Sequence, residues 1–163
     1  MPQGPLTIEQ VLTLLVQAPP RLAELTAGLK PAQLRTTAVL GEWSAVEVLA
    51  HLRACADVWG TCIATTIAED EPTLKAVNPR AWITKTDYPE LDFLVSLHSF
   101  TAQRAELVAV LESLPDNAWS RTATVTGAGK ILERSVLFYA RWLARHERQH
   151  IKQIERLVNT VRL

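Results

Sequence analysis

The stretch that decides the fold is residues 131–161, "ILERSVLFYARWLARHERQHIKQIERLVNTV". Its apolar residues recur at spacings of three and four, which is typical of one face of an amphipathic helix. His146 and His150 fall on the same stripe. We therefore predict a long helix from Ile131 nearly to the end of the chain, with both histidines in the core register.

Three further segments carry the same helical spacing. Residues 7–28 predict a first helix that is kinked where Pro19 and Pro20 interrupt it, because proline lacks the N–H of the helical hydrogen bond. Residues 44–69 open with a serine followed three residues later by a glutamate, the pattern of a capping box. Residues 91–114 predict the third helix, so the long C-terminal stretch is the fourth.

Two long connections separate these helices, at residues 69–89 and 116–130. No alternating strand of useful length is apparent in them, and no repeat of fixed period occurs. The chain of 163 residues is near the size of one ordinary domain. The fold class we predict is all-α: a single domain, residues 1–163, forming a four-helix bundle with a kinked first helix and long connections.

Composition narrows the classes of partner. The 17 basic and 17 acidic residues balance, so no whole-molecule field favours nucleic acid or an anionic membrane. A basic stripe of Arg141, Arg145, Arg148 and Lys152 lacks interleaved aromatic residues, which favours a solvated helix face over a nucleic-acid surface. We expect a small-molecule substrate, with neither nucleic acid nor a membrane as partner.

The two cysteines, Cys55 and Cys62, lie seven residues apart in one predicted helix. Their separation along the axis would be about 10 Å at 1.5 Å per residue, too far for a disulfide. The N-terminal residues lack the features of a secretory signal, and no run of eighteen apolar residues occurs. We expect a cytoplasmic protein with reduced thiols.

The segment "HERQH", residues 146–150, reads as H-E-x-x-H, in which two histidines one helical turn apart hold a zinc ion. A zinc protease of this type also needs a third ligand. The extended motif would place glycine and histidine where the chain has Gln153 and Arg156, and only thirteen residues follow His150. A protease is therefore disfavoured, and the third ligand should come from upstream.

His51 is the best candidate for that third ligand. It lies beside apolar residues on a well-capped helix, where an unpaired imidazole would be costly. His98 is the competing candidate. Three imidazoles around a divalent ion leave a coordination position open for water or substrate, which is the arrangement of a catalytic site.

At this point the chain resembles a known family. The block "W-S-x-x-E-x-L-x-H-L" at residues 43–52, the "W-x-R" of Trp119 and Arg121, and "H-E-x-x-H-x-x-Q" ending at Gln153 together look like the DinB/YfiT-like superfamily of small four-helix bundles. The resemblance covers essentially the whole chain. It implies a divalent metal ion, zinc or nickel, held by three histidines that match His51, His146 and His150.

The same resemblance implies a range of activities. The superfamily includes transferases that use low-molecular-weight thiols such as bacillithiol or mycothiol, a mycothiol-dependent isomerase, and many members without an assigned reaction. Homodimers are frequent among them, so a homodimer is expected here. A low-molecular-weight thiol is a candidate co-substrate.

Three other residues are candidates for roles around this site. Glu147 is offset by about 100° from His146 on the helix, so it faces either the rim of the site, as a general base, or solvent. Cys55, one turn after His51, is a candidate fourth ligand or reactive thiol, against the alternative of a small buried hydrophobe. Gln153 is a candidate partner for an imidazole nitrogen, against the alternative of a role in helix packing.

Two hypotheses for function follow. In the first, the chain is a metal-dependent enzyme, a thiol transferase or hydrolase that acts on a small electrophilic molecule. In the second, it is a non-catalytic metal-binding or stress-response interaction module. An open coordination position favours the first hypothesis, and a closed coordination sphere favours the second.

Overall fold

The computed structural model describes residues 4–162, and four long helices dominate it. The first, α1, spans Ile8–Thr26 and continues through Pro19 and Pro20. A short α2 (Pro31–Leu34) precedes α3 (Ala45–Ala68), and α5 (Phe93–Glu112) and α6 (Val136–Val161) complete the bundle. The remaining helix, α4, is the short segment Pro79–Trp82.

Local sequence explains where the long helices begin. Thr7 and Gln10 form a capping box at the start of α1, and Ser44 and Glu47 form one at the start of α3. Each box satisfies backbone N–H groups that the first helical turn leaves without partners. The capping box predicted at the start of α3 is therefore confirmed.

The prediction of an all-α fold is only partly right, because the long connections contain a three-stranded sheet. β1 (Thr73–Lys75) pairs in parallel with β2 (Thr122–Ala128), which pairs antiparallel with β3 (Lys130–Ser135). The turn between β2 and β3 contains Gly129 at φ +91°, a conformation that favours glycine.

The predicted start of the last helix at Ile131 is also wrong. Residues 130–135 form β3, and Ile131 is 75% exposed. Ser135 accepts a hydrogen bond from the Phe138 backbone N–H and thereby caps α6, so the helix begins at Val136.

Each long helix packs against two others. α1 contacts α5 and α6, and α3 contacts the same two helices. Consequently α5 and α6 face each other across a diagonal of the bundle. Within residues 4–162, none of the helices combines the length and apolar character that crossing a membrane requires.

The core consists of two apolar clusters, one towards each end of the bundle. Every long helix contributes to both clusters. The first cluster includes Leu22, Leu52, Phe100 and Ile154. The second includes Leu15, Ile63, Leu111 and Leu143. Between these levels lie His51, His146 and the buried pair Arg104 and Glu147, which form a polar layer through the middle of the bundle.

Candidate metal centre

The capping box of α3 positions His51. The Ser44 hydroxyl accepts from the Glu47 N–H at 3.3 Å, and Glu47 Oε1 accepts from the Ser44 N–H at 3.1 Å. These bonds fix the first turn, and His51 follows two turns later on the inward face. The side chain is buried, with 8% of its surface exposed.

His146 and His150 lie one turn apart on α6, as their spacing predicts. His146 Nε2 is 3.1 Å from His150 Nε2 and also 3.1 Å from His51 Nε2. The structure therefore brings the three candidate histidines together, with one nitrogen of each ring directed at a common region. Two of these residues are on α6 and one is on the adjacent α3.

These distances match those between ligands of one ion. Two nitrogens bound to a zinc ion at ~2.05 Å with a tetrahedral angle are ~3.3 Å apart, and an octahedral angle brings them to ~2.9 Å. The observed separations of 3.1 Å fall between the two. The residues present therefore fit a divalent ion.

Hydrogen bonding fixes the orientation of one imidazole. His150 Nδ1 is 2.8 Å from Gln153 Oε1. The amide oxygen can only accept, so Nδ1 carries the proton and the Nε2 lone pair faces the other histidines. Gln153 thus has the position expected for a residue that orients a ligand. The His146 Nδ1 is buried and has no hydrogen-bond partner within residues 4–162.

All three imidazoles are held in the neutral form that binds metal. Burial lowers the pKa of His51 to about 4, and the neighbouring His150 and Arg80 add to this effect. Burial, with the charges of His150 and His51, lowers the pKa of His146 to about 3. Burial likewise lowers the pKa of His150. Near neutral pH each ring therefore has one nitrogen lone pair that can bind a metal ion.

Cys55 lies beside two of these histidines. Its Sγ is 3.6 Å from His51 Nε2 and 4.0 Å from His146 Nε2. Donor atoms of His51, Cys55 and His146 all lie within 4.8 Å of one another. Burial and the negative charge of Glu147 raise the pKa of the Cys55 thiol to about 12. The sulfur is therefore a neutral thiol in contact with the imidazoles.

Comparison with known proteins identifies the family of this chain and two similar folds. A model of the DinB superfamily matches residues 14–154. The chain belongs to the DinB superfamily. None of the curated proteins matches it. Among solved structures, one similar fold is that of YfiT from Bacillus subtilis, described as a probable metal-dependent hydrolase with an unusual four-helix bundle topology.

The similarity to YfiT has a TM-score of 0.73 at 21% sequence identity, over 96% of this chain and 91% of that one. A second similar fold is the mycothiol-dependent maleylpyruvate isomerase, with a TM-score of 0.68 and 16% identity. That match covers 91% of this chain and 61% of the isomerase. At these identities the two structures support the DinB fold alone.

Glu147 is one of the buried residues of the bundle. The alternative in which it faces solvent is wrong, because only 1% of its surface is exposed. Its two carboxylate oxygens accept hydrogen bonds from the two terminal nitrogens of Arg104 on α5. Burial raises the pKa of the Glu147 carboxyl, and the Arg104 guanidinium opposes that effect. In this DinB chain the glutamate of H-E-x-x-H is thus a partner of Arg104, which argues against a role as general base.

His98, the competing ligand candidate, is exposed on α5 and is not among the converging imidazoles. Two residues that were not predicted as site residues, Trp43 and Arg80, lie around the mouth of the centre. The Trp43 ring is 4.9 Å from the His51 ring and stacks at 6.2 Å on the His150 ring. The Arg80 guanidinium lies 5.5 Å from the Trp43 ring centroid. Trp43 belongs to the motif at residues 43–52. Arg80 lies in the connection of residues 69–89, where no motif predicts a site residue.

Proposed function

We propose that this DinB superfamily chain binds one divalent metal ion through His51, His146 and His150 and is a metal-dependent enzyme. The observation that carries the proposal is that His146 Nε2 lies 3.1 Å from both His51 Nε2 and His150 Nε2. Three neutral imidazoles this close together can offer their lone pairs to one cation.

The proposed reaction is hydrolysis of, or thiol transfer to, a small electrophilic molecule. A divalent ion with three protein ligands keeps a position for water or substrate and lowers the pKa of a water or thiol bound there. The fold similarity to a probable metal-dependent hydrolase and a mycothiol-dependent isomerase supports both versions. Zinc and nickel are the ions we propose, and a low-molecular-weight thiol is the proposed co-substrate of the transferase version.

The chain's own residues supply the surroundings of this reaction. Gln153 holds the His150 ring through the 2.8 Å hydrogen bond, so the lone pair stays directed at the centre. Trp43 covers the His51 and His150 rings on one side. Trp59 packs edge-on against His146, with ring centroids 5.1 Å apart. These aromatic walls limit water around the reacting atoms, which strengthens electrostatic interactions there.

The test begins with metal content. Protein purified without a histidine tag is analysed for zinc, nickel, manganese and iron, alongside His51→Ala, His146→Ala and His150→Ala. His98→Ala serves as the matched control, since that histidine is exposed on α5. We expect about one ion per wild-type and control chain and marked loss in the three site variants. Absence of stoichiometric metal in the wild type removes the basis of the proposal.

Activity is tested next with a panel of small electrophiles, with and without bacillithiol, mycothiol or glutathione. Consumption of thiol that requires the bound ion supports a transferase, and product formation without thiol supports a hydrolase. Stoichiometric metal with neither reaction would instead support the non-catalytic metal-binding module. The proposed homodimer is checked on the same samples by light scattering.

A further inference from the structure

A cleft of about 670 Å³ reaches the candidate metal centre from the surface. His150 and Gln153 of α6 form part of its wall, and Trp43 and Arg80 lie in the wall as well. Arg156, farther along α6, also lines the cleft. A small molecule that enters here meets the His150 side of the centre.

The two arginines of this cleft are free of protein acceptors. Within residues 4–162, neither Arg80 nor Arg156 forms an ion pair or a side-chain hydrogen bond. By contrast, Arg35, Arg104, Arg121 and Arg162 all donate to protein oxygens. The cleft also contains one acidic residue, Glu42, which forms no ion pair in the same part of the chain. The wall therefore carries an excess of positive charge.

Arg80 is placed there by a well-anchored segment. Asn78 caps α4 and accepts a hydrogen bond from the Arg80 backbone N–H at 2.9 Å. Trp82, at the other end of α4, donates from its indole N–H to Asp57 on α3 at 3.1 Å. Asp57 also accepts from Tyr88 at 2.6 Å, which fixes the segment that follows. The connection that holds Arg80 is thus tied to the same helix that carries His51.

The cleft has a definite order from surface to centre. The Arg80 guanidinium lies over the Trp43 indole at 5.5 Å, and the same indole lies 4.9 Å from the His51 ring and 6.2 Å from the His150 ring. A positive group, an aromatic surface and the converging imidazoles therefore follow one another. Guanidinium is the protein group best matched to a carboxylate, because it can donate two parallel hydrogen bonds.

We infer that the substrate of the proposed reaction carries a carboxylate, which Arg80 binds while the reacting atom lies at the histidine centre. Arg156 adds a second positive group to the same cleft, and Trp43 contacts the apolar part between the two ends of the substrate. This inference rests on the proposed function for its reaction. The binding of the carboxylate depends only on the cleft, so it can be measured with or without metal. Arg80 is then the residue that selects anionic over neutral substrates.

The experiment measures binding of succinate by NMR titration, with the neutral succinamide as matched ligand. Both metal-loaded and metal-free protein are used, because a carboxylate can also bind an ion directly. We expect Arg80→Gln to weaken succinate binding about tenfold or more in the metal-free protein. Arg80→Lys should retain part of the affinity through its charge, and succinamide should bind more weakly than succinate to the wild type.

Arg148→Gln is the control, since it removes the same charge from an exposed position of α6 outside this cleft. Equal losses in Arg148→Gln and Arg80→Gln would show a general charge effect and overturn the inference. It is also overturned if wild type does not bind succinate, or binds succinamide equally well. Absence of metal uptake would count against the proposed enzyme, while the titration of the metal-free protein would still decide the role of Arg80.

Discussion

Arg104 donates a hydrogen bond to the backbone carbonyl of Leu15 at 3.1 Å. That carbonyl would normally accept from the N–H four residues later, but residue 19 is a proline and has none. The same guanidinium pairs with both oxygens of Glu147. One side chain thus satisfies a gap in α1 and a buried charge on α6, which explains how Pro19 is tolerated inside the first helix.

We predict that Arg104→Met destabilises the protein by about 3–5 kcal/mol, since it leaves a carboxylate buried without its partner. The buried Leu15 carbonyl would lose its hydrogen-bond donor at the same time. Urea unfolding of the metal-free protein measures the loss. Glu147→Gln should also destabilise, yet its folded form should keep the metal stoichiometry of the wild type.

The matched control for this pair is Arg104→Met combined with Glu147→Leu. Replacing both charged groups by apolar ones should recover most of the stability, and adding Pro19→Ala should recover more by restoring the helical N–H. If each single substitution lowers the free energy of unfolding by less than about 1 kcal/mol, the Arg104–Glu147 pair does not contribute the stability predicted here.

Gln153→Leu should weaken metal binding by about 10- to 100-fold. The substitution removes the acceptor that holds the His150 Nδ1 proton at 2.8 Å. Competition with a chromophoric chelator measures the change. Gln149→Leu, an exposed glutamine one turn earlier on α6, is the control for helix and solubility effects. Equal losses of metal affinity in both variants would show that the hydrogen bond between His150 and Gln153 does not orient the ligand.

Cys55→Ser should leave one ion bound per chain. The Cys55 sulfur contacts His51 and His146 at 3.6 and 4.0 Å, but His146 Nε2 already lies 3.1 Å from Nε2 of both His51 and His150, the other two proposed ligands. Substitution with cobalt(II) gives the measurement, because thiolate ligation produces an intense near-ultraviolet band. We expect wild type and variant to have the same spectrum. A band that is present in the wild type and absent in Cys55→Ser would make the cysteine a fourth ligand.

Stability of the metal-free protein should fall as the pH is lowered from about 6.5 towards 4. The pKa values of His51 and His146 are about 4 and 3 in the folded protein, below the ordinary histidine value of 6.5. The unfolded chain therefore takes up protons first, and the free energy of unfolding decreases by up to about 1.4 kcal/mol per pH unit for each histidine. Above pH 6.5 this contribution is fully retained.

Urea unfolding between pH 7.5 and 5 tests this dependence. His146→Gln is the comparison, because it keeps a neutral polar group and removes the titration. Its unfolding free energy should change less with pH than that of the wild type. Parallel curves for the two proteins would assign the pH dependence to other groups.

The helices and the histidine cluster could be predicted because their determinants are local. A serine and a glutamate three residues apart fix the start of α3 and hence the direction of His51. The spacing of four between His146 and His150 places both rings on one face of α6. Only the contact between α3 and α6 is non-local, and the family resemblance is what predicted that His51 meets the other two histidines.

The sheet was missed because its pairing is non-local. Residues 122–125 do alternate, with Ala123 and Val125 buried, but the run is short. Its parallel neighbour Thr73–Lys75 has only three residues and lies about fifty positions earlier. Such strands depend on their partners more than on intrinsic preference, so periodicity alone did not identify them.

The position of Glu147 was missed for a related reason. Its offset of about 100° from His146 excludes the metal-facing direction, but does not say what lies on the other side. The answer is Arg104, on the helix diagonally opposite, and its position could not be read from the neighbourhood of the motif. Arg80 was overlooked because the connection that places it is organised by hydrogen bonds to Asp57.

The proposed ligands come from positions 95 residues apart in the chain, at His51 and His146. An ion bound there would cross-link two distant parts of the polypeptide and would be lost whenever the bundle opens. Ligands that bind only the native form stabilise it in proportion to the logarithm of their free concentration. In a cell with active proteases, the lifetime of this protein would then rise and fall with the supply of its metal.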